Sequence, residues 1–211
     1  MTARLLPRLA ASLVVGLARA VTGVRPDWRG CLPDARQRIY FANHASHGDF
    51  VLIWTVLPRA LRSRTRPVAA ADYWDRPGLC RFIGRGIFNA LMIDRHPTPS
   101  APHPVTLMAQ ALAEGSSLIL FPEGTRNTTE EPLLPFRSGL FHLAEAAPEI
   151  ELVPVWIDNV ARVMPKGEML PIPLLCSVAF GTPMRPEPGE AKDAFLARAR
   201  DALMALRPQE M

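Results

Sequence analysis

An α/β protein, with a layered, mixed or mostly parallel sheet flanked by helices, is predicted by three observations. Short β-rich runs alternate along the chain with helix-like stretches. Those runs mostly lack in/out alternation, the pattern of strands covered on both faces. The 211 residues suffice for one sizeable core, which favours a single main domain.

The first element is "RLLPRLAASLVVGLARAVT", residues 4–22. At 100° per residue Arg4, Arg8 and Arg19 fall on one side of a helix and Leu6, Leu9, Leu13 and Leu17 on the other. Only residues 9–18 separate Arg8 from Arg19, against the roughly 20 apolar residues that span a bilayer. This helix is expected to lie on a membrane and not cross it. A secretory signal, suggested by "ARA" at 18–20, and an arginine-rich transit peptide are the alternatives. A further one is a leucine stripe packed on the protein's own core. Residues 1–30 are thus set apart as a membrane-associating amphipathic segment, with the main domain at 31–211.

Strands are expected at 38–42 (RIYFA), 66–71 (RPVAAA), 88–93 (FNALMI), 117–121 (SLILF), 152–157 (LVPVWI) and 174–180 (LLCSVAF). Helices are expected at 47–57, 77–85, 103–114, 137–146 and 190–206. The last carries Phe195, Leu196, Ala199, Leu203 and Leu206 at helical spacing. Residues 160–173, "VARVMPKGEMLPIP", read as a hairpin or a flap around a Pro-Lys-Gly turn. The 22 prolines fall between periodic segments and punctuate elements.

Net charge is +4, and 22 of the 24 basic residues are arginine, the better two-pronged phosphate binder. The surface should attract phosphates or an acidic membrane face. A nucleic-acid partner is not expected: the four Trp and two Tyr are not interleaved with basic residues as a stacking platform requires. Cys31, Cys80 and Cys176 are odd in number and far apart, which indicates neither a disulfide framework nor a metal knuckle and fits a reducing compartment.

Chemistry concentrates in "NHASHGDF", residues 43–50, where a strand turns into a helix, the usual place for ligands in α/β folds. Ser46 and Asp49 have capping-box spacing, with Ser46 at the N-cap and Asp49 at the third helical position. That leaves His44 unexplained. A tight turn can bring its imidazole against Asp49, whose carboxylate has acceptor positions for a backbone N–H and a histidine N–H together. The other ring nitrogen is then a fixed acceptor, the orienting arrangement of hydrolase triads without the nucleophilic serine. It suits a general base acting on a substrate hydroxyl.

The stretch "NHASHGD" resembles the N-H-x4-D block of the glycerolipid acyltransferases, the family of glycerol-3-phosphate and 1-acylglycerol-3-phosphate acyltransferases. Three further blocks resemble that family in order: "LMIDR" at 91–95, "FPEGTR" at 121–126 with "PFRSG" at 135–139, and "LVPVWI" at 152–157. The resemblance implies a glycerol-3-phosphate acyltransferase-like fold, His44 as base and Asp49 as its orienting acid. It implies an acceptor-phosphate site built from Arg95, Glu123, Gly124, Thr125 and Arg126. The implied reaction moves a fatty acyl group from acyl-CoA or acyl carrier protein to lysophosphatidic acid, giving phosphatidic acid for phospholipid synthesis. No cofactor or metal is called for, and the place of action is the cytoplasmic face of a membrane. Glycerol 3-phosphate or another lysolipid is the alternative acceptor. His47, and Asn89 where a glycine is common in the family, bear on that choice.

Two readings from other classes stay open. One takes His44, His47 and Asp49 as an H-x-x-H-x-D metal site of a hydrolase, for which no further ligand cluster stands downstream. The other is a non-catalytic module binding acidic lipid or acyl-CoA. His96, His103 and His142 are read as surface or satisfied helix residues.

Overall fold

The structure, a computed structural model, describes residues 5–94, 101–158 and 176–208; of residues 5–8 it describes the backbone alone. Among them the strands form one seven-stranded sheet. They are β1 (Arg25–Trp28), β2 (Arg38–Ala42), β3 (Thr65–Ala70), β4 (Leu91–Ile93), β5 (Ser117–Leu120), β6 (Glu151–Asp158) and β7 (Ser177–Phe180). The order is β1-β7-β6-β2-β5-β3-β4. All neighbours are parallel except β6 and β7. The predicted layered, mostly parallel α/β architecture is therefore the one observed.

The helices are α1 (Leu5–Thr22), α2 (Asp49–Val56), α3 (Arg59–Arg62), α4 (Ala71–Trp74), α5 (Leu79–Arg81), α6 (Pro104–Ala113), α7 (Gly139–Ala146) and α8 (Lys192–Met204). A π-helical stretch, Phe82–Ile87, continues α5. Each strand and helix expected from the sequence is present, displaced by a few residues at its ends. Missed were the four-residue β1, α3 and α4, too short to show a periodicity. Residues 159–175, with the expected hairpin or flap, lie outside the described set.

Every residue of β2 is buried, because the sheet has a core on each face. Tyr40 and Ala42 point into one with Ile53, Trp54 and Phe88 of the α2 side. Ile39 and Phe41 point into the other with residues of α6, α7 and α8. Alternation is there in space but invisible in sequence, since both sides are apolar. At the amino-terminal ends of the central strands the fully buried Arg38 is matched by Glu151 at 3.3 Å, Asp34 at 3.1 Å and the Leu32 carbonyl at 2.8 Å. That end is closed, and the opposite end, where β2, β5 and β6 finish side by side, holds the motifs.

Ala11, Val14 and Val15 of α1 pack on the core, whereas Leu9, Leu13 and Leu17 stand 68%, 74% and 63% exposed. The reading in which this leucine stripe covers the core is thus corrected: the opposite face of α1 does so. No helix among the described residues is long and apolar enough to cross a membrane.

Candidate active site

Strand β2 ends at Ala42 and delivers Asn43 and His44 to the carboxyl edge of the sheet. Asn43 fixes the exit: its side-chain N–H donates to the Ile157 carbonyl at 3.0 Å, and its oxygen accepts the Ile157 N–H at 2.8 Å. The side chain thereby continues the β2–β6 pairing by one step beyond the last backbone register, Ala42 against Val155.

The chain then wraps around one carboxylate oxygen. Asp49 Oδ2 accepts the N–H of Ala45 at 2.7 Å, the N–H of Ser46 at 2.8 Å and the Nδ1 of His44 at 2.9 Å. A carboxylate only accepts, so Nδ1 carries a proton, and in the neutral ring this fixes the tautomer in which Nε2 presents a lone pair. Nε2 has no partner among the described residues, and the His44 side chain is 19% exposed against 1% for Asp49. The ring is held from a second direction by Phe121, stacked at 4.1 Å between centroids and 14° between planes. Two independent contacts, one polar and one apolar, fix one rotamer and one tautomer.

The helix does not begin as the spacing suggested. Gly48 precedes α2, without a side-chain cap, and Asp49 is the first helical residue. Only half of the capping box forms, the Ser46 N–H to Asp49 bond; Ser46 Oγ accepts instead from Gly48 N–H at 3.2 Å. The physical reason is that the carboxylate gathers three donors from residues 44–46, which pulls that turn out of the helix. For the same reason the first N–H groups at the helix start are engaged and not free to stabilise an oxyanion: Gly48 with Ser46 Oγ, and Asp49 with the Ser46 carbonyl at 3.3 Å.

Strand β5, beside β2, brings "FPEGTR" to the same edge. Glu123 is buried, 2% exposed, and both its oxygens are taken by backbone: Oε1 accepts the His44 N–H and Oε2 the Leu134 N–H, each at 2.8 Å. Burial pushes its carboxyl above the ordinary value, outweighing the two N–H groups that pull it down. The His44 carbonyl accepts the Asn127 N–H at 2.6 Å, so this loop grips the histidine backbone on both sides. The grips from Asn43, Phe121, Glu123 and Asn127 were missed by sequence reasoning. Their signal was the block structure itself, in which an acid inside a supposed phosphate site asks for another partner.

Gly124, Thr125 and Arg126 are exposed. Gly124 sits at φ +70°, and a Cβ there would come within 2.6 Å of Cδ of Arg137. Arg137, of the "PFRSG" block, folds across that glycine and donates from Nε to the Glu123 carbonyl at 3.3 Å. Arg126 has no partner among the described residues. Arg95 lies outside the described residues; β4, which precedes it, is an edge strand separated from β5 by β3. His47 stacks on Tyr73 at 4.4 Å between ring centroids. His103 caps α6 by accepting the Val105 N–H, and His142 lies 3.4 Å from Glu145, ordinary structural roles; His96 falls outside the described residues.

The arrangement can do one thing directly: present an oriented imidazole nitrogen to solvent beside an exposed arginine rim. The acyltransferase family model matches residues 29–158, which include β2, β5 and β6. The 1-acyl-sn-glycerol-3-phosphate acyltransferase alpha of Mus musculus is 31% identical over 156 residues, covering 72% of this chain and 51% of its own. Its Homo sapiens counterpart is 33% identical over 142 residues, covering 65% and 47%. The chain thus spans about half the length of these curated relatives. In fold it is similar to the crystal structure of the 1-acyl-sn-glycerophosphate (LPA) acyltransferase PlsC from Thermotoga maritima, with a TM-score of 0.70 at 18% identity, covering 95% of this chain and 79% of that one. With more than half of its residues matched by the family model, and the matched stretch carrying the whole His44 framework, the chain belongs to the acyltransferase family.

Proposed function

We propose that this chain transfers a fatty acyl group from a thioester, acyl-CoA or acyl carrier protein, to the free hydroxyl of 1-acylglycerol 3-phosphate, giving phosphatidic acid. The observation that carries the reading is the 2.9 Å contact of His44 Nδ1 with Asp49 Oδ2, with Nε2 left unpartnered among the described residues. An ordinary imidazole is far too weak a base to ionise an alcohol outright. The proton therefore passes to Nε2 as the hydroxyl oxygen attacks the thioester carbonyl, a contribution of typically 10²- to 10⁴-fold. Asp49 stabilises the imidazolium. Collapse of the tetrahedral intermediate breaks the carbon–sulfur bond, and His44 returns the proton to the departing thiolate.

The acceptor's phosphate is assigned to the rim of Arg126, with Gly124 and Thr125, and to Arg95. Arg137 joins them, because it lies across Gly124 and guanidinium groups pair with phosphate through charge-assisted hydrogen bonds. Glu123 belongs to this site as the strut beneath the rim and not as a ligand, since a carboxylate facing a phosphate dianion would repel it. The names of the relatives support lysophosphatidic acid as acceptor. The exposed leucine stripe of α1 supports work at a membrane surface, for which the cytoplasmic face is proposed. Residues 1–30 act in this scheme as the membrane-associating segment and residues 31–211 as the acyltransferase domain.

The test is a radiolabelled acyl-transfer assay that offers lysophosphatidic acid and glycerol 3-phosphate with each thioester donor, with His44→Ala beside the wild type. Wild-type transfer to lysophosphatidic acid and its loss in the variant are expected. An unchanged rate in the variant discards the mechanism, and transfer only to glycerol 3-phosphate discards the acceptor.

A further inference from the structure

Six large apolar side chains stand exposed among the described residues: Leu9, Leu13, Leu17, Leu32, Leu79 and Phe82. Five of them belong to two elements in contact with each other, α1 and the segment of residues 79–87 in which α5 runs on into the π-helical stretch. Both elements are seated on the same core, on one face of the sheet. Ala11, Val14 and Val15 point into it from α1, and Ile83 and Ile87 from the π-helical stretch. Away from that core α1 presents its leucine stripe, and its neighbour presents Leu79, 71% exposed, and Phe82, 39% exposed. The other sides of the 79–87 segment are occupied. Gly84 lets Met92 and Trp74 close in, since a Cβ there would come within 2.8 Å of Met92 Cε and 3.3 Å of the Trp74 carbonyl oxygen. Arg81 and Arg85 turn to Asp75, the first donating to its carbonyl at 2.9 Å and the second to Oδ1 at 2.7 Å. The Phe82 ring lies along Gly86, where a Cβ would meet it at 3.3 Å; it is held in place on the helix surface yet stays open to solvent. Single exposed leucines are ordinary, but five large apolar groups on adjoining elements make a patch that calls for a partner.

Charge says which partner. Residues 76–93 hold three arginines, Arg76, Arg81 and Arg85, and no acid, and α1 holds no acid either. A second copy of this patch would set arginine against arginine, since a two-fold interface pairs a surface with itself. An anionic leaflet is complementary to it, because arginine stems lie along apolar surface with their guanidinium groups at headgroup level. We infer that the 79–87 segment is a second lipid-contacting element, which enters the headgroup region of an anionic membrane through Leu79 and Phe82 beside the leucine stripe of α1. A fold held by one interfacial helix can pivot about that helix, and a second contact off its axis stops the pivot. The gain is orientation. The segment follows α4, whose Tyr73 stacks on His47, three residues beyond His44, so the contact brings the His44 turn toward the leaflet in which a lysolipid resides. The inference rests on the membrane-facing reading of α1 and not on the chemistry at His44.

Vesicle flotation with the whole chain tests it, on phosphatidylcholine vesicles containing one-third phosphatidylglycerol. Wild type is compared with Leu79→Gln, Phe82→Gln, Leu13→Gln and Leu32→Gln, with urea midpoints to confirm folding. Leu32 is the control: it is 73% exposed but stands at the closed end of the sheet, where its carbonyl accepts from Arg38. Each of the first three substitutions should weaken binding on the order of tenfold, the loss of one largely buried apolar side chain, and Leu32→Gln should float as wild type does. Undiminished flotation of both Leu79→Gln and Phe82→Gln overturns the inference, whatever Leu13→Gln does. Equal weakening by Leu32→Gln also overturns it, because binding then follows overall apolarity and not this face. Failure of wild type to float overturns the membrane reading of α1 and the second contact with it. A wild-type dimer in sedimentation that Leu79→Gln dissociates, with flotation unchanged, gives the patch to a second copy and likewise overturns it. Flotation requires no acyl transfer, so these outcomes are independent of those of the acyl-transfer assay.

Discussion

Replacing Asp49 by asparagine separates the two tasks that its carboxylate performs. Oδ2 accepts three donors, at 2.7, 2.8 and 2.9 Å, whereas the buried Oδ1 has no partner among the described residues. An asparagine with its carbonyl in the place of Oδ2 and its amide in the place of Oδ1 keeps all three donors paired. Its structural cost is only the loss of charge assistance, about 1–2 kcal/mol. The catalytic cost is larger, because a neutral amide gives little stabilisation to an imidazolium. With charge centres ~4 Å apart, and at an effective dielectric of ~20, the lost attraction is about 4 kcal/mol, or on the order of 10³ in kcat. Steady-state acyl transfer and urea unfolding, measured on the same preparation, should therefore show a folded protein with kcat down about a thousandfold and KM for either substrate changed less than about threefold. A folded Asp49→Asn variant that retains kcat within about threefold would refute the assignment of His44 as base.

Substitutions at three other positions probe the frame. Glu123→Gln leaves one of two buried backbone N–H groups, of His44 or Leu134, facing an amide; a loss of about 1–3 kcal/mol is expected, with kcat falling more than KM. Glu123 also has a signature in pH. Its folded-state carboxyl titrates above its ordinary 4.5, so the folded chain binds the extra proton, and stability declines as pH rises from 4.5 through the raised value. Unfolding midpoints measured across that window should lose this component of the slope in Glu123→Gln, and an identical slope in both proteins would contradict it. Asn43→Ala removes both bonds to Ile157 and leaves that backbone pair short of partners, costing about 1–3 kcal/mol by urea unfolding, with kcat reduced in the variant that remains folded. At Asn89, where φ is +49°, Asn89→Gly should leave the melting temperature equal or higher and Asn89→Val should lower it by the equivalent of about 1–2 kcal/mol.

The core strands were legible because they are apolar on both faces and bounded by polar junctions, so length and composition sufficed to find them. The same property hid which residue faces which core. At the site, His44 and Asp49 were legible as a pair because five positions of a tight turn fit one hydrogen bond. What the turn does to the helix was not, since a capping box and a carboxylate nest share the same spacing and differ only in how many donors compete for the oxygen. Asn89 read as a departure from a glycine common in the family, and its left-handed backbone explains why either residue serves. The partners of Glu123 were beyond reach from sequence: Leu134 is eleven residues on and His44 seventy-nine residues back, and nothing periodic connects them.

The block from Phe121 to Asn127 is better understood as two interleaved sets than as one binding loop. Phe121, Glu123 and Asn127 face inward and hold, in turn, the ring, the N–H and the carbonyl of His44. Gly124, Thr125 and Arg126 lie between them and face solvent. An acid among phosphate-binding residues is a contradiction only while all of these are assumed to point the same way. In the proposed mechanism the consequence is geometric. Base and anion rim sit on two neighbouring loops pinned to each other through the His44 backbone, so a phosphate seated on the rim carries its hydroxyl to a distance from Nε2 that hydrogen bonds, and not a hinge or a lid, determine. Preorganisation of that kind can supply about 7–11 kcal/mol of the barrier reduction in a transfer between well-oriented groups. It predicts that loosening the inward set costs kcat and loosening the outward set costs KM.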